Sequence, residues 1–221
     1  MQSTATAIHT PAALFMRGAA ILRPGMTGQN QRLERGEELF AEGDAAEFFY
    51  KVVSGSIRSS KLLSDGRRQI DAFHLPGDIF GLESGTEHRF TAEALEDTTV
   101  LAFRRSRLGD LTDDDPAFGE EIMMAMMRGL ERAQDHMLLL GRKTAQERIA
   151  SFLMDMAARL VGGSHVDLPM QRADIADHLG LTIETVSRTL TQLARDGLIS
   201  FTAGSRSVDL RDLAALRLLQ A

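Results

Sequence analysis

Short apolar runs separated by glycines dominate the chain between about residues 19 and 105. Residues 48–53 are rich in β-forming side chains and are soon followed by a glycine at position 55. Asp65 and Gly66, between residues 61–63 and residues 69–73, are a strong hairpin signal, and residues 100–103 close the set. Many short strands at nearly regular spacing predict an all-β barrel or sandwich. The preceding residues 1–18 are predicted to be a flexible lead-in.

The pattern changes to helical spacing after three aspartates and Pro116. Aspartate is a favourable N-cap and proline fits the first helical position, so a long helix is predicted over residues 117–142. This helix has two apolar stripes. One contains Phe118, Ile122 and Ala125. The other has heptad spacing and contains Met123, Met126, Leu130, Ala133, Met137 and Leu140. Two stripes favour a parallel homodimer, in which the first stripe covers the barrel and the heptad stripe is the dimer seam that meets the partner helix. The alternative is that both stripes are core of a single chain.

A helix-turn-helix is predicted in the last third of the chain. Residues 144–160 predict one helix, and residues 172–179 predict a shorter one that ends at Gly180, a residue suited to a left-handed position after a helix. Thr182 is then the N-cap of a helix that runs from residue 183 to about residue 196. Two helices joined by such a turn place the second helix in the major groove of DNA. Residues 199–210 are predicted to form a β-hairpin that resembles the wing of a winged helix.

The second helix of this motif has a polar edge opposite an apolar one. At about 100° per residue, Glu184, Ser187 and Arg188 share one side of the helix. Arginine bonds guanine in a bidentate fork, glutamate accepts from the cytosine amino group, and serine is a smaller, less selective contact. We therefore predict that these three residues contact bases; the alternative is a solvated ion pair between Glu184 and Arg188. The opposite, inward side contains Val186, Leu190 and Leu193, and the candidate contacts to the DNA backbone are Arg172, Thr182, Thr185, Arg206 and Ser207.

Composition adds mainly exclusions. The chain has 221 residues and no cysteine, so disulfides, thiolate zinc sites and cysteine-ligated iron–sulfur clusters are excluded. A net charge of −6 argues by itself against nucleic-acid binding, but residues 142–221 contain ten Lys and Arg against nine Asp and Glu. The acidic excess therefore lies in the N-terminal part. The chain contains no export signal and no apolar run long enough to cross a bilayer, so we expect a cytoplasmic protein without a membrane partner.

Two parts of the chain resemble the CRP/FNR superfamily of bacterial transcription regulators. Residues 36–44, 53–57 and 76–81 look like the β-roll of cyclic-nucleotide-binding domains, and residues 172–188 are similar to the helix-turn-helix of FNR and FixK. The resemblance implies an α+β fold with an N-terminal β-roll, a long dimerisation helix and a C-terminal winged helix-turn-helix. The expected divisions are a lead-in at 1–18, a β-roll at 19–116, a dimerisation helix at 117–142 and a DNA-binding domain at 143–221.

The resemblance also implies a function. A FixK-like regulator is a homodimer that recognises a TTGA…TCAA palindrome in double-stranded DNA through Glu184, Ser187 and Arg188. With RNA polymerase, it activates genes of microoxic or anaerobic respiration and of nitrogen fixation. No catalytic residue, metal or cofactor is expected. Ile183 stands where cyclic-AMP-type regulators have arginine and is predicted to lie near the core side, so the operator is expected to differ from theirs.

The effector site of this superfamily is altered in the chain. The resemblance places an Arg-Ser or Arg-Thr pair in the phosphate-binding cassette, but Phe90 separates Arg89 from Thr91 here. Asp78 stands where the usual glutamate would bond a ribose. Asp78, Arg89 and Thr91 are therefore interpreted as a vestigial effector pocket, and we expect a regulator that needs no small effector.

Two alternatives stay open. One is an effector-dependent regulator that senses a nucleotide, or haem with a ligand such as NO, in the β-roll, with His74 or His88 as the haem ligand. The other is a cupin-like metal enzyme, which needs a His-x-His motif and a nearby carboxylate. None of the six histidines pairs with another at metal-ligand spacing, so the enzyme is the more remote alternative.

Overall fold

The β-roll consists of two antiparallel sheets. The protein is represented by a computed structural model that describes residues 28–160, 162–202 and 204–220. The predicted lead-in and residues 19–27 lie outside the described residues. The strands are β1 (Gln29–Leu33), β2 (Glu38–Phe40), β3 (Phe48–Ser54), β4 (Ile57–Leu62), β5 (Arg68–His74), β6 (Ile79–Phe80), β7 (Thr91–Ala94) and β8 (Thr98–Arg104). The sheets have the strand orders β1-β8-β3-β6 and β2-β7-β4-β5, so the predicted all-β architecture is confirmed.

Inward-pointing side chains from both sheets form the β-roll core. Val52, Ile57 and Val100 are completely buried there. At the predicted hairpin, Leu62 of β4 pairs with Arg68 of β5. Gly66 in the connecting turn has a φ of 84°, a conformation that glycine adopts without strain. The turn predicted from Asp65 and Gly66 is therefore confirmed.

Two helices follow the β-roll, α1 (Leu108–Asp114) and the long α2 (Pro116–Arg142). The Asp115 side chain accepts a hydrogen bond from the Phe118 amide at 3.1 Å, which caps α2. Phe118, Ile122 and Ala125 are buried against the β-roll, and the rings of Phe118 and Phe103 are 5.1 Å apart. The predicted helix and its inward stripe are confirmed, whereas α1 was not predicted. No helix among the described residues is long and apolar enough to cross a membrane.

The C-terminal part is a winged helix-turn-helix. It contains α3 (Ala145–Arg159), β9 (His165–Asp167), α4 (Arg172–Leu179), α5 (Ile183–Arg195), β10 (Ile199–Ser200), β11 (Ser207–Leu210) and α6 (Leu213–Leu218). The three strands form an antiparallel sheet in the order β10-β11-β9. The predicted helices and the predicted wing hairpin are present, and β9 and α6 are additions that the sequence did not indicate.

The β-roll and the winged helix-turn-helix share one apolar core. Ile70 and Phe73 of β5 belong to the same buried cluster as Phe152 of α3 and Leu179 of α4. Burial at this contact removes apolar surface of both parts from water. The winged helix-turn-helix is therefore packed against the second sheet of the β-roll.

Candidate nucleic-acid interface

Gly180 and Thr182 build the turn between α4 and α5. Gly180 follows α4 with φ 61° and ψ 40°, a left-handed conformation that disfavours a Cβ. The Thr182 hydroxyl accepts a hydrogen bond from the Thr185 amide at 3.2 Å and caps α5. Both signals predicted from the sequence are thus confirmed, and they set the start and the direction of α5.

The two edges of α5 differ as predicted. Its inward edge is buried, whereas Glu184 and Arg188 are exposed and Ser187 is partly exposed. The placement of Ile183 near the core was wrong, because its side chain is 44% exposed. Helical side chains lean toward the N-terminus of their helix, and Ile183 is the first residue of α5, so no earlier turn of α5 lies beneath it. The buried edge contains Val186, Leu190 and Leu193.

The exposed edge of α5 presents an acceptor and a donor side by side. Backbone hydrogen bonding at the start of α5, together with the Thr182 hydroxyl, lowers the pKa of Glu184, so its carboxylate is ionised at neutral pH. Among the described residues, none forms an ion pair with Arg188, so the Arg188 guanidinium is not paired with the Glu184 carboxylate. The edge can therefore offer a carboxylate acceptor and a five-donor guanidinium to base edges.

The candidate backbone contacts lie at the start of α4, at the start of α5 and in the wing. The Arg172 guanidinium lies over the Phe201 ring at 5.3 Å, with its Nη1 3.5 Å from the Ser187 hydroxyl. Arg206 is exposed and donates to the Pro169 carbonyl at 3.0 Å. The Ser207 hydroxyl donates a hydrogen bond to the Asp167 carboxylate. Thr182 and Thr185 lie at the start of α5 with their hydroxyls 3.1 Å apart.

Most of the predicted dimer seam is exposed in the single chain. The exposed fractions are 59% for Met123, 54% for Met126, 61% for Leu130 and 66% for Met137, and Ala133 is also exposed. Apolar side chains exposed in a continuous stripe indicate a contact surface. Leu140, the last member, is half-buried against the core of the winged helix-turn-helix.

Arg148 on α3 joins three segments, and the sequence pattern does not single it out. Its Nη1 donates to the Leu179 carbonyl at 2.8 Å, its Nη2 to the Leu140 carbonyl at 3.0 Å and its Nε to the Lys143 carbonyl at 2.9 Å. These carbonyls lie at the ends of α2 and α4, where no further turn satisfies them. Arg148 therefore ties the first helix of the motif to the end of α2.

The three residues of the predicted effector pocket are engaged in separate contacts. The Asp78 carboxylate binds Arg159 at 2.8 Å and Arg132 at 3.6 Å, and it accepts from the Leu75 amide at 2.9 Å. The Thr91 hydroxyl accepts from the Glu42 amide at 3.0 Å. Arg89 is exposed, with its guanidinium 5.9 Å from the Phe90 ring centre.

The histidines named as alternative haem ligands have neighbours within the fold. His74 lies 2.5 Å from the Ser59 hydroxyl and stacks on Phe80, with 4.3 Å between ring centres. His88 is buried and stacks on Phe40 at 3.6 Å. Among the described residues, no group of three or more histidine, aspartate or glutamate side chains is arranged to hold a metal ion.

Known proteins resemble both parts of the chain. A model of the Crp-like helix-turn-helix domain matches residues 147–219, and a model of the cyclic nucleotide-binding domain matches residues 30–115. The nitrogen fixation regulation protein FixK of Azorhizobium caulinodans is 51% identical over 85% of this chain and 77% of its own length. FixK of Rhizobium meliloti is 45% identical over 83% of each chain. A solved structure of FixK2 from Bradyrhizobium japonicum has a TM-score of 0.82 and 48% identity, and the alignment covers 89% of this chain and 98% of that one.

Proposed function

The chain belongs to the FixK-like group of CRP/FNR transcription regulators, and we propose that two copies of it bind one inverted repeat of double-stranded DNA. It is a transcription regulator with a helix-turn-helix DNA-binding domain and not an enzyme. The proposal specifies the homodimer, a TTGA…TCAA-type operator and activation through RNA polymerase. Since similar proteins are named nitrogen fixation regulators, we propose target genes of microoxic respiration and nitrogen fixation.

The exposed polar edge of α5 is the observation that carries this proposal. Glu184 and Arg188 point away from the buried edge and carry the donor and acceptor types that distinguish base pairs in the major groove. In each half-site, Arg188 would bond guanine, Glu184 would accept from a cytosine amino group, and Ser187 would add a smaller contact. The surrounding backbone contacts would come from Arg172, Thr182, Thr185, Arg206 and Ser207.

The exposed seam on α2 supports the homodimer. Met123, Met126, Leu130 and Met137 are each more than half exposed in one chain, and a parallel partner helix would bury them. A symmetric dimer presents its two α5 helices about one turn of DNA apart, roughly 34 Å. The operator must then be an inverted repeat.

The contacts of Asp78 support DNA binding without an effector. Its carboxylate already binds Arg159 and Arg132, so a ribose would have to displace these pairs. We expect that cyclic AMP, titrated into the protein with labelled operator, leaves the operator dissociation constant unchanged. A many-fold increase in affinity would instead place the chain among the effector-dependent regulators.

The central experiment replaces Arg188 by alanine and measures binding to operator and to scrambled DNA by fluorescence anisotropy. Loss of a bidentate guanine contact should cost about 1–3 kcal/mol per half-site and relax the preference at one base pair. Arg107→Ala is the control, because it removes one exposed positive charge from the region between β8 and α1. An equal loss of affinity for operator and scrambled DNA would mean that Arg188 contacts only phosphate.

A further inference from the structure

The first helix of the DNA-binding motif is packed against β5, the strand at the end of its sheet. The His178 Nδ1 lies 3.1 Å from the Ile70 carbonyl, and Gln69 donates to the His178 carbonyl at 3.2 Å. The rings of His178 and Phe73 are 5.1 Å apart. The C-terminal half of α4 is thus bonded to β5 by polar and aromatic contacts.

A cluster of two arginines and two aspartates, in which Arg58 also pairs with Glu93 of β7 at 2.7 Å, bonds the N-terminal half of α4 to the same sheet. Arg58 of β4 donates to Asp174 at 2.6 Å, and Arg68 of β5 donates to Asp174 at 2.8 Å. The Nη2 of Arg68 also lies 2.7 Å from a carboxylate oxygen of Asp177. Asp174 is only 3% exposed, so its pairs are shielded from water and weakly screened by salt.

Asp174 also belongs to the internal structure of α4. Its second carboxylate oxygen accepts from the Gln171 amide at 3.0 Å, within a capping box at the start of the helix. One carboxylate therefore both starts the first helix of the motif and receives the two arginines of the β-roll.

This contact leaves the DNA-reading edge free. The β-roll bonds α4, whereas Glu184 and Arg188 on α5 are exposed. A contact that inhibited DNA binding would have to cover that edge or turn it toward the protein. The cluster instead bonds α4 and leaves Glu184 and Arg188 of α5 exposed.

We propose that Arg58 and Arg68 are positioning residues for operator binding, which hold the helix-turn-helix in its DNA-binding orientation through Asp174 and Asp177 without any effector. The proposal rests on the proposed function, since it assumes that α5 reads an operator. When the pairs are broken, α4 samples other orientations, and only the fraction in the competent one binds. The operator dissociation constant rises in inverse proportion to that fraction.

The test uses the more peripheral pair, Arg68 and Asp177, in the full chain. Both side chains are about 30% exposed, and Asp174 itself is left in place, although a change at Arg68 also removes one of the two arginines that bond Asp174. We expect Arg68→Glu and Asp177→Arg each to raise the dissociation constant for a TTGA…TCAA duplex by roughly tenfold or more. The double variant Arg68→Glu/Asp177→Arg restores the pair between positions 68 and 177 with reversed polarity, while Asp174 keeps its bond to Arg58, and it should regain part of this affinity.

Arg67→Glu is the matched control. It makes the same charge change one residue away, on a side chain that is 78% exposed and pairs with Asp65 in the hairpin turn. Its operator affinity should stay within about twofold of the wild-type value. Arg68→Gln removes the charge without repulsion and should give a smaller loss than Arg68→Glu, and thermal melting checks that every variant is folded.

Hydrogen–deuterium exchange separates failure of this proposal from failure of the proposed function. In the absence of DNA, the α4 amides should exchange faster in Arg68→Glu than in wild type, and the double variant should restore part of their protection. If wild type does not prefer the operator, the proposed function fails, and the exchange result still decides whether the cluster holds α4. Unchanged binding and exchange in both single variants, tighter operator binding by either, or no recovery in the double variant would overturn the proposal.

Discussion

Leu130 lies in the middle of the proposed dimer seam, and its replacement by lysine is expected to separate the dimer. The side chain is 61% exposed in the single chain. Full burial of a leucine side chain contributes about 1.5–3 kcal/mol, so burial of the exposed part contributes about 1–2 kcal/mol in each protomer. Two-fold symmetry doubles this to about 2–4 kcal/mol, a factor of roughly 30 to 700 in the dissociation constant, before the cost of the charge.

Sedimentation equilibrium over a protein concentration series measures this constant directly. Leu62→Lys is the matched control, since Leu62 is 68% exposed but lies on β4 rather than on α2. Leu130→Ala keeps a good helix former and should give an intermediate weakening. Operator binding should weaken in parallel with dimerisation, because one helix-turn-helix occupies only half of the inverted repeat. A wild-type dimerisation constant for Leu130→Lys would refute the seam.

Three further changes have expected outcomes. Gly180→Ala forces a Cβ into a backbone with φ 61°, 3.3 Å from Leu140, and should lower the free energy of unfolding in urea by about 1–2 kcal/mol. Burial lowers the pKa of His74 to about 4 and that of His178 to about 3. Both side chains are neutral in the folded protein but become protonated near pH 6.5 in the unfolded chain. The free energy of unfolding should therefore fall as the pH drops below 6.5, and each histidine should contribute about 1–2 kcal/mol of this loss at pH 5. His178→Gln should flatten this dependence, and equal stability at pH 7 and pH 5 would contradict it. Arg148→Lys cannot reproduce three guanidinium bonds and should cost about 1–3 kcal/mol of stability and weaken operator binding, with sedimentation still showing a dimer.

The helix ends were predictable because they depend on residues close in sequence. Asp115 and Pro116 mark the start of α2, and Thr144 caps α3 together with Glu147. Gly180 ends the first helix of the motif in a left-handed conformation, which glycine adopts without help from residues distant in sequence. The edges of α5 follow in the same way from helical periodicity, so both the fold class and the exposed polar edge could be predicted.

The contacts between the two parts of the chain were not predictable in this way. Asp174 looks like an ordinary polar residue of a short helix, yet its burial depends on Arg58, which lies 116 residues earlier. The strand β9 has only three residues and exists because it pairs with β11. Arg148 likewise bonds backbone carbonyls, which carry no sequence signal. Each of these features depends on contacts between residues that are distant in sequence, and a local sequence pattern cannot predict such contacts.

The two groups of contacts around α4 act together. A helix of eight residues is about 12 Å long, so a single anchor would let it pivot, whereas anchors near both ends fix its direction. Arg58 and Arg68 bind near its start at Asp174, and Arg148 binds the carbonyl of its last residue, Leu179. The β-roll supplies the first anchor and also bonds His178 near the end of α4, whereas Arg148 of α3 links that end to α2. The direction of α4, and with it the exposed edge of α5, is therefore set jointly by the β-roll and by the helix proposed to form the dimer. Under the proposed function, this arrangement would present α5 to DNA without a ligand in the β-roll.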